Sequence, residues 1–156
     1  VDYDMETWQV ADYHVFDYEG GFSTEEWTIK ASDDEVRFLE RSVEDTKNFW
    51  TLTQTITFGA IEEDVLSVLL SDDEELTEFH IEGERFVLTE SGTGRQRAAG
   101  EGAGNHFVAW TFEGPEGKVV FISQWGDRDF NVVGGYYVEE WQFTNILPGR
   151  LTDKES

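Results

Sequence analysis

The most regular pattern in the sequence is the alternation Trp50-Thr51-Leu52-Thr53-Gln54-Thr55-Ile56-Thr57-Phe58. Its apolar side chains fall on one face and its four threonines fall on the other. A period of two residues predicts a half-buried β-strand. Similar short runs of apolar and β-branched residues recur along the chain and are separated by turn residues. The chain is therefore expected to be mainly β, folded as an antiparallel barrel or sandwich.

Turn residues mark where several of these strands end. The segments Ser32-Asp33-Asp34, Glu82-Gly83 and Gly114-Pro115-Glu116-Gly117 predict tight turns between strands. A shift of the apolar phase near Ala11-Asp12 predicts a β-bulge. The glycine-rich segment 91–104 lacks apolar alternation, and we expect it to be a mobile hairpin arm.

One segment has the period of a helix. Its apolar residues recur at three- and four-residue spacing, and the acidic residues at its start favour the N-terminal end of a helix. The apolar stripe comprises Ile61, Val65, Leu66, Val68 and Leu69, and the acidic residues are Glu62, Glu63 and Asp64. We expect one short helix near 62–70.

A weak internal repeat divides the chain into two similar β-halves. The segment around Trp27 and Phe38 parallels the segment around Trp110 and Phe121, and both matched pairs are offset by 83 residues. The two segments are expected to be equivalent hairpins with their tryptophans on matching faces. The predicted organisation is a single domain over 1–150 followed by a frayed tail at 151–156. Its half-repeats cover about 1–58 and 79–147, and a linker with the helix covers 59–78.

The net charge limits the kinds of partner. Asp and Glu number 34 against 11 Lys and Arg, which gives a formal charge of −23. Such a chain repels phosphate backbones and anionic lipids, so nucleic-acid binding and direct membrane insertion are disfavoured. The acidic surface fits either a basic protein partner or halophilic adaptation. With no cysteine, no membrane-spanning apolar run and no secretory signal pattern, the expected location is cytoplasmic.

The dependence of thermal stability on salt distinguishes these two interpretations of the charge. If the acidic surface is a salt adaptation, the melting temperature should rise steeply between dilute buffer and molar KCl, because screening removes self-repulsion. Thermal denaturation in KCl and in a non-ionic osmolyte measures this difference, since excluded cosolutes stabilise any compact state. A response to KCl no larger than the response to the osmolyte would leave the basic partner as the explanation.

No motif in the sequence points to catalysis, and we expect neither an enzyme nor a cofactor. The three histidines, at 14, 80 and 106, lack metal-ligand spacing. Asp127, Asp129 and Asn131 resemble the start of a calcium loop, but Val132 stands where that loop requires glycine. We therefore predict no metal site.

Two groups of residues are candidates for binding. Arg95 and Arg97 are the closest basic pair in a very acidic chain, and arginine binds carboxylates and phosphates through two hydrogen bonds. Their alternative role is to pair with the protein's own carboxylates. The tryptophans are expected to anchor the core, and the alternative is that Trp27, Trp110 and Trp125 line a pocket inside a small barrel.

Two sets of residues resemble a known family. In the first half they are Val1-Asp2-Tyr3-Asp4, Trp8-Gln9-Val10, Glu25-Glu26-Trp27-Thr28-Ile29 and Phe38-Leu39. In the second half they are Glu82-Gly83-Glu84-Arg85-Phe86-Val87-Leu88-Thr89-Glu90-Ser91-Gly92-Thr93, Ile122-Ser123-Gln124-Trp125-Gly126-Asp127, Phe130, Gly134 and Phe143. Over nearly its whole length the chain resembles the family catalogued as domain of unknown function 4178. Ser123 departs from the family pattern, which has an acidic residue there.

The resemblance implies no activity and no catalytic residues. It implies an accessory or scaffolding role, since members of the family sit near genes for membrane-stress and envelope-maintenance proteins. We therefore expect a non-enzymatic, protein-binding or scaffolding module with an unidentified protein partner. The alternative is a β-barrel that binds a small molecule in an aromatic-lined pocket.

Overall fold

The computed structural model describes most of the chain, namely residues 2–3, 6–19, 21–44, 47–71, 74–98, 104–126, 129–139 and 143–144. The strands in this part are β1 (Asp2–Tyr3), β2 (Glu6–Thr7), β3 (Gln9–Tyr18), β4 (Ser23–Lys30), β5 (Val36–Glu44), β6 (Lys47–Thr55), β7 (Glu78–Ile81), β8 (Glu84–Ala98), β9 (Asn105–Glu113), β10 (Lys118–Gln124), β11 (Phe130–Val138) and β12 (Phe143–Thr144). The described helical elements are α1 (Val65–Leu69) and two 3-10 turns at Phe58–Ala60 and Pro115–Gly117. No described helix has the length and hydrophobicity needed to cross a membrane.

Eight of the described strands close into an antiparallel barrel. Their hydrogen-bonded order is β3-β4-β5-β6-β11-β10-β9-β8, and pairing of β8 with β3 joins the two ends. Strand β7 extends the sheet beside β8, while β1, β2 and β12 form a separate small sheet. Closure pairs the strands that would otherwise be sheet edges. The expected class, a mainly β antiparallel barrel with one short helix, is confirmed.

The two halves of the barrel have the same hairpin register. In the β4–β5 hairpin Trp27 pairs with Leu39, and in the β9–β10 hairpin Trp110 pairs with Ile122. Both members of the second pair lie 83 positions after those of the first. Each tryptophan packs in an apolar cluster on the outer face of the barrel. The predicted equivalence of the two hairpins is therefore confirmed.

Most of the apolar core lies outside the barrel wall, in two clusters. The helix-side cluster covers the outer face of β8–β11, and its buried members are Ile61, Val65, Leu76, Phe79, Phe86, Phe112, Val120, Ile122 and Val132. The tryptophan cluster covers the outer face of β4–β6 and β11 and contains Trp8, Trp27, Ile29, Ala31, Leu39, Trp50 and Val138. Because side chains alternate along each strand, the residues between these outward-facing ones point into the barrel.

Helix α1 begins at Val65, three residues later than the predicted start at residue 62. Asp64 caps α1 by accepting a hydrogen bond from the amide of Ser67 at 3.3 Å. Glu62 and Glu63 instead bind the β7–β8 hairpin, accepting hydrogen bonds at 2.7 Å from the backbone amides of Gly83 and His80 respectively. Because these carboxylates satisfy hairpin amides, they do not extend the helix toward residue 62.

The glycine-rich segment is a strand through residue 98 that forms a hairpin with β9, and its second pairing, with β3, was not predicted. Residues 94–98 close the barrel by pairing with β3. A Cβ atom on Gly94 would overlap the backbone carbonyl of Asp17, and one on Gly92 would lie 3.3 Å from the Tyr18 ring. The glycines are therefore needed where two backbones approach closely. Residues 99–103 lie outside the described residues.

The predicted turns and the bulge are present. The β3–β4 register shifts between Val10 and Asp12, as a bulge requires. Glu82 and Gly83 turn the β7–β8 hairpin with positive φ angles of 52° and 80°. Near the end of the second half-repeat, residues 143–144 pair with β1, and the predicted tail at 151–156 lies outside the described residues.

Candidate ligand site in the barrel lumen

The barrel encloses a cavity of about 360 Å³. Its wall carries six aromatic side chains, from Phe16, Tyr18, Phe38, Phe107, Phe121 and Trp125. Several of these rings are in mutual contact. Phe107 packs edge-on against Phe16, with ring centroids 5.2 Å apart, and lies 5.4 Å from Trp125. The volume falls within the usual range for small-molecule pockets, roughly 300–1,000 Å³.

Threonines supply much of the polar wall. The polar face of the 50–58 alternation turns into the barrel, so the middle of β6, residues 50–53, is buried or half-buried on both faces. Thr51 and Thr53 are each only 4% exposed. The Thr51 hydroxyl and the indole nitrogen of Trp125 are buried without a hydrogen-bond partner among the described residues. Buried polar groups normally form hydrogen bonds with protein atoms or with water, so these two atoms can hydrogen-bond to a ligand inside the barrel.

Two glutamates lie side by side on the inner wall of the lumen. Glu26 on β4 and Glu40 on β5 are register partners, and both line the cavity. Burial raises the pKa of Glu26 to about 7, with Asp12 adding to the shift. Burial raises the pKa of Glu40 to about 8, with Glu26 adding to the shift. At neutral pH the pair therefore holds protons that ordinary surface carboxyls have lost.

Among the described residues, no lysine or arginine neutralises this pair. The nearest basic residue in sequence, Arg41, lies on the outer face, where it forms an ion pair with Glu25 and stacks over Trp50. Among the described residues that line the cavity there is no lysine or arginine, and the one histidine is His14. His14 is the register partner of Glu26 and lies 3.7 Å from the carboxylate of Asp12.

The lumen continues into a wider cavity of about 790 Å³ at one end of the barrel. Tyr18, Glu40, Thr111 and Phe121 line both spaces, so the two are joined. We call this end the acidic mouth, because its described lining adds the carboxylates of Glu19, Glu90, Glu113 and Glu139 and contains no basic residue. Burial raises the pKa of Tyr18, and Glu40 and Glu90 add to the shift, so its phenol stays neutral.

The opposite end of the lumen is neutral to weakly acidic. A second cavity there is lined by polar residues, including Asn105, His106, Asp129 and Asn131. Trp125 and Asn131 belong to this cavity and also to the lumen. The two ends of the barrel therefore differ in charge, with the stronger negative field at the acidic mouth.

The three tryptophans proposed to line a pocket do not lie together in the structure. Trp125 lines the lumen. Trp27 belongs to the tryptophan cluster, and Trp110 packs against the helix-side cluster, so both lie on the outer face. The rings that do line the lumen are mainly phenylalanines, which carry no distinguishing motif in the sequence.

The two arginines proposed for binding lie on the barrel-closing strand β8. Arg97 donates a hydrogen bond from Nε to the carboxylate of Asp17 at 2.6 Å, and Arg95 donates to the carbonyl of Gly104 at 3.3 Å. Asp17 and Arg97 thus bridge β3 and β8 at the closure. A role for either arginine in binding a partner stays a prediction.

The residues considered for metal binding do not assemble. Asp129 and Asn131 lie near the neutral end of the lumen, while Asp127 lies outside the described residues. The described part of the chain contains no group of three or more acidic or histidine side chains arranged to hold a metal ion. His80 contacts Glu63 through Nδ1 at 2.5 Å, and its pKa is raised by that hydrogen bond.

The fold and the lumen define the class of protein: a closed eight-stranded β-barrel with an acidic, aromatic-lined interior. Over residues 1–140 the chain matches the model of the family described as "Domain of unknown function (DUF4178)", and it belongs to that family. This match confirms the resemblance noted from the sequence motifs. No curated protein and no solved structure matches the chain.

Proposed function

We propose that the protein is a non-catalytic binding barrel that takes a small, partly apolar molecule into its lumen. The enclosed cavity supports this proposal, because its aromatic rings offer apolar contacts and the Trp125 indole offers an unused polar one. The unused Thr51 hydroxyl lines the acidic mouth beside it. Sites of this kind, mostly apolar with a few converging polar groups, are typical of small-molecule binding.

The position of the apolar core also supports a binding role. In many small barrels the interior is filled by side chains and supplies the core. Here the two clusters outside the wall contain most of the fully buried apolar side chains, including Phe79 and Phe112, while Phe107 is fully buried on the lumen side. The lumen can therefore stay open without removing the packing that stabilises the fold. The role implied by the family resemblance, a protein-binding or scaffolding module linked to membrane-stress systems, stays a prediction.

Binding of a neutral, polarity-sensitive dye tests this function. We expect one molecule of prodan per chain, with a Kd on the order of 100 µM or tighter given the dye's size. Ala109 lines both the lumen and the acidic mouth, so Ala109→Trp should fill the space and abolish the fluorescence change. Fluorescence titration gives the affinity, and thermal denaturation checks that the variant folds.

The matched control places the same side chain outside the barrel. Ala60 is exposed on the 3-10 turn before α1, and Ala60→Trp should leave dye binding unchanged. If a folded Ala109→Trp variant binds the dye as well as Ala60→Trp does, the dye lies outside the lumen and the proposed function is wrong.

A further inference from the structure

An uncompensated acidic row crosses the inner wall of the barrel. The β4–β5 register places Glu26 opposite Glu40, and the β5–β6 register places Glu40 opposite Thr51. Directly opposed residues on one face of a sheet have Cβ atoms about 5 Å apart. Two carboxyls and a hydroxyl from three neighbouring strands thus form a row of hydrogen-bond acceptors. We call these three side chains the acceptor row.

The acceptor row is unfavourable for the empty protein. Like charges directly opposed on a sheet destabilise it, and burial of a carboxylate without a partner costs several kcal/mol. Thr51 is only 4% exposed and its hydroxyl has no partner among the described residues. A buried hydroxyl without a partner among the described residues, on the register partner of Glu40, indicates that a group from outside the chain completes the row.

The charge around the acceptor row has one sign. The titratable groups that face it are Asp12, His14 and Tyr18 from β3, Glu26 from β4, Glu40 from β5 and Glu90 from β8. Tyr18 is neutral, and His14 is already next to the Asp12 carboxylate. The acidic mouth extends the same negative field outward. Such a cavity attracts cations and excludes anions.

The rest of the wall is suited to an organic cation rather than a metal ion. Aromatic faces attract cations and also contact alkyl groups, and Phe38, Phe107 and Phe121 line the same cavity as the two glutamates of the acceptor row. Phe121 also lines the acidic mouth, where Thr51 lies. The described residues offer no three-ligand metal group. An ammonium group has three N–H donors, which equals the number of acceptor side chains in the row.

We infer that the ligand of the lumen is an aliphatic amine, whose ammonium group binds Glu26, Glu40 and Thr51 while its alkyl stem lies against the aromatic wall. This inference rests on the proposed function and names the ligand class of the same site. Because the carboxyls hold protons at neutral pH, binding of the cation displaces protons to solvent. Affinity for the amine therefore rises as the pH increases through about 7 to 8, the range in which the pair ionises.

Isothermal titration calorimetry with three probes of equal stem length tests the ligand class. At pH 8.5 hexylamine is expected to bind at least tenfold more tightly than hexanol, and hexanoate is expected not to bind. Between pH 6 and pH 8.5 the Kd of hexylamine should fall by about tenfold, while the Kd of hexanol stays constant. Repeating the titration in buffers of different ionisation enthalpy measures the protons released.

A pair of double variants assigns the preference to the acceptor row. In E26Q/E40Q the advantage of hexylamine over hexanol should shrink to within about twofold. The control E74Q/E75Q removes two exposed carboxylates outside the barrel and makes the same change in net charge. It should keep the preference, because exposed charges at a distance are screened.

The outcomes distinguish this inference from the proposed function. Equal binding of hexylamine and hexanol, or an unchanged preference in folded E26Q/E40Q, would overturn the amine as ligand while leaving a neutral ligand in the lumen. If hexylamine and hexanol bind equally well to Ala109→Trp and to wild type, neither probe lies in the lumen. Both the inference and the proposed function would then be wrong.

Discussion

Gly94→Ala is expected to lower the free energy of unfolding by about 3 kcal/mol. Alanine normally stabilises a strand relative to glycine, because it reduces the entropy of the unfolded chain. At position 94 the added Cβ would overlap the carbonyl of Asp17, where β8 meets β3 and closes the barrel. Backbone cannot move aside as a flexible side chain can, so the strands must separate and lose closing hydrogen bonds. Urea denaturation measures the change.

Two further glycines make this prediction specific to strand junctions. Gly135 sits at the other junction of the two halves, where β11 pairs with β6, and its Cβ would overlap the carbonyl of Leu52. Gly135→Ala should therefore destabilise as strongly as Gly94→Ala. Gly126 has open space around its Cβ position, and Gly126→Ala should change stability by less than about 0.5 kcal/mol. Equal effects at all three positions would show that close backbone approach is not the cause.

The same glycines explain why the strand at 91–98 could not be predicted from the sequence. Sequence patterns indicate a strand through apolar alternation, and this segment has little of it. Its pairing is instead fixed by close contact with β3, as the position of Gly94 against Asp17 shows. That contact joins residues about 80 positions apart, and no local pattern reports it.

The period of the 50–58 segment predicted a strand correctly but did not predict which of its two faces points into the barrel. Alternation shows which side chains share a face, not which face meets solvent. Trp50 packs outward in the tryptophan cluster, while Thr51 and Thr53 turn into the lumen. Recognition of a polar lumen requires the closed topology, because a threonine face is equally compatible with an exposed sheet.

The pairing of Glu26 with Glu40 could not be predicted from the sequence for a related reason. Glu25 and Glu26 are adjacent and chemically identical, but only Glu26 faces the lumen, since Glu25 is paired with Arg41 outside. The repeat of Trp27 and Trp110 predicted two equivalent hairpins but not which residues pair across each hairpin. The β4–β5 register and the outward position of Trp27 together place Glu26 and Glu40 inside. The missing information was therefore the register of the hairpin and the orientation of its tryptophan.

The stability of the folded protein is expected to fall as the pH rises from about 5 to 8. Glu26 and Glu40 have pKa values of about 7 and about 8 in the fold, against an ordinary value of 4.5. Between these values the folded state binds more protons than the unfolded state, so the free energy of unfolding decreases with rising pH. Above about pH 9 both carboxyls are ionised in both states, and this contribution becomes constant.

The E26Q/E40Q variant isolates this effect, because glutamine keeps the size of the side chain and cannot ionise. One pKa unit corresponds to about 1.4 kcal/mol. Water that enters the lumen reduces the full penalty, so we expect the variant to be more stable than wild type by about 2 kcal/mol at pH 9. At pH 5 the two proteins should have equal stability. His80, whose pKa is raised by Glu63, loses its contribution over part of the same range in both proteins and cancels in the comparison. Urea denaturation from pH 5 to 9 gives the two curves, and parallel curves would show that the glutamates ionise in the fold as they do in the unfolded chain.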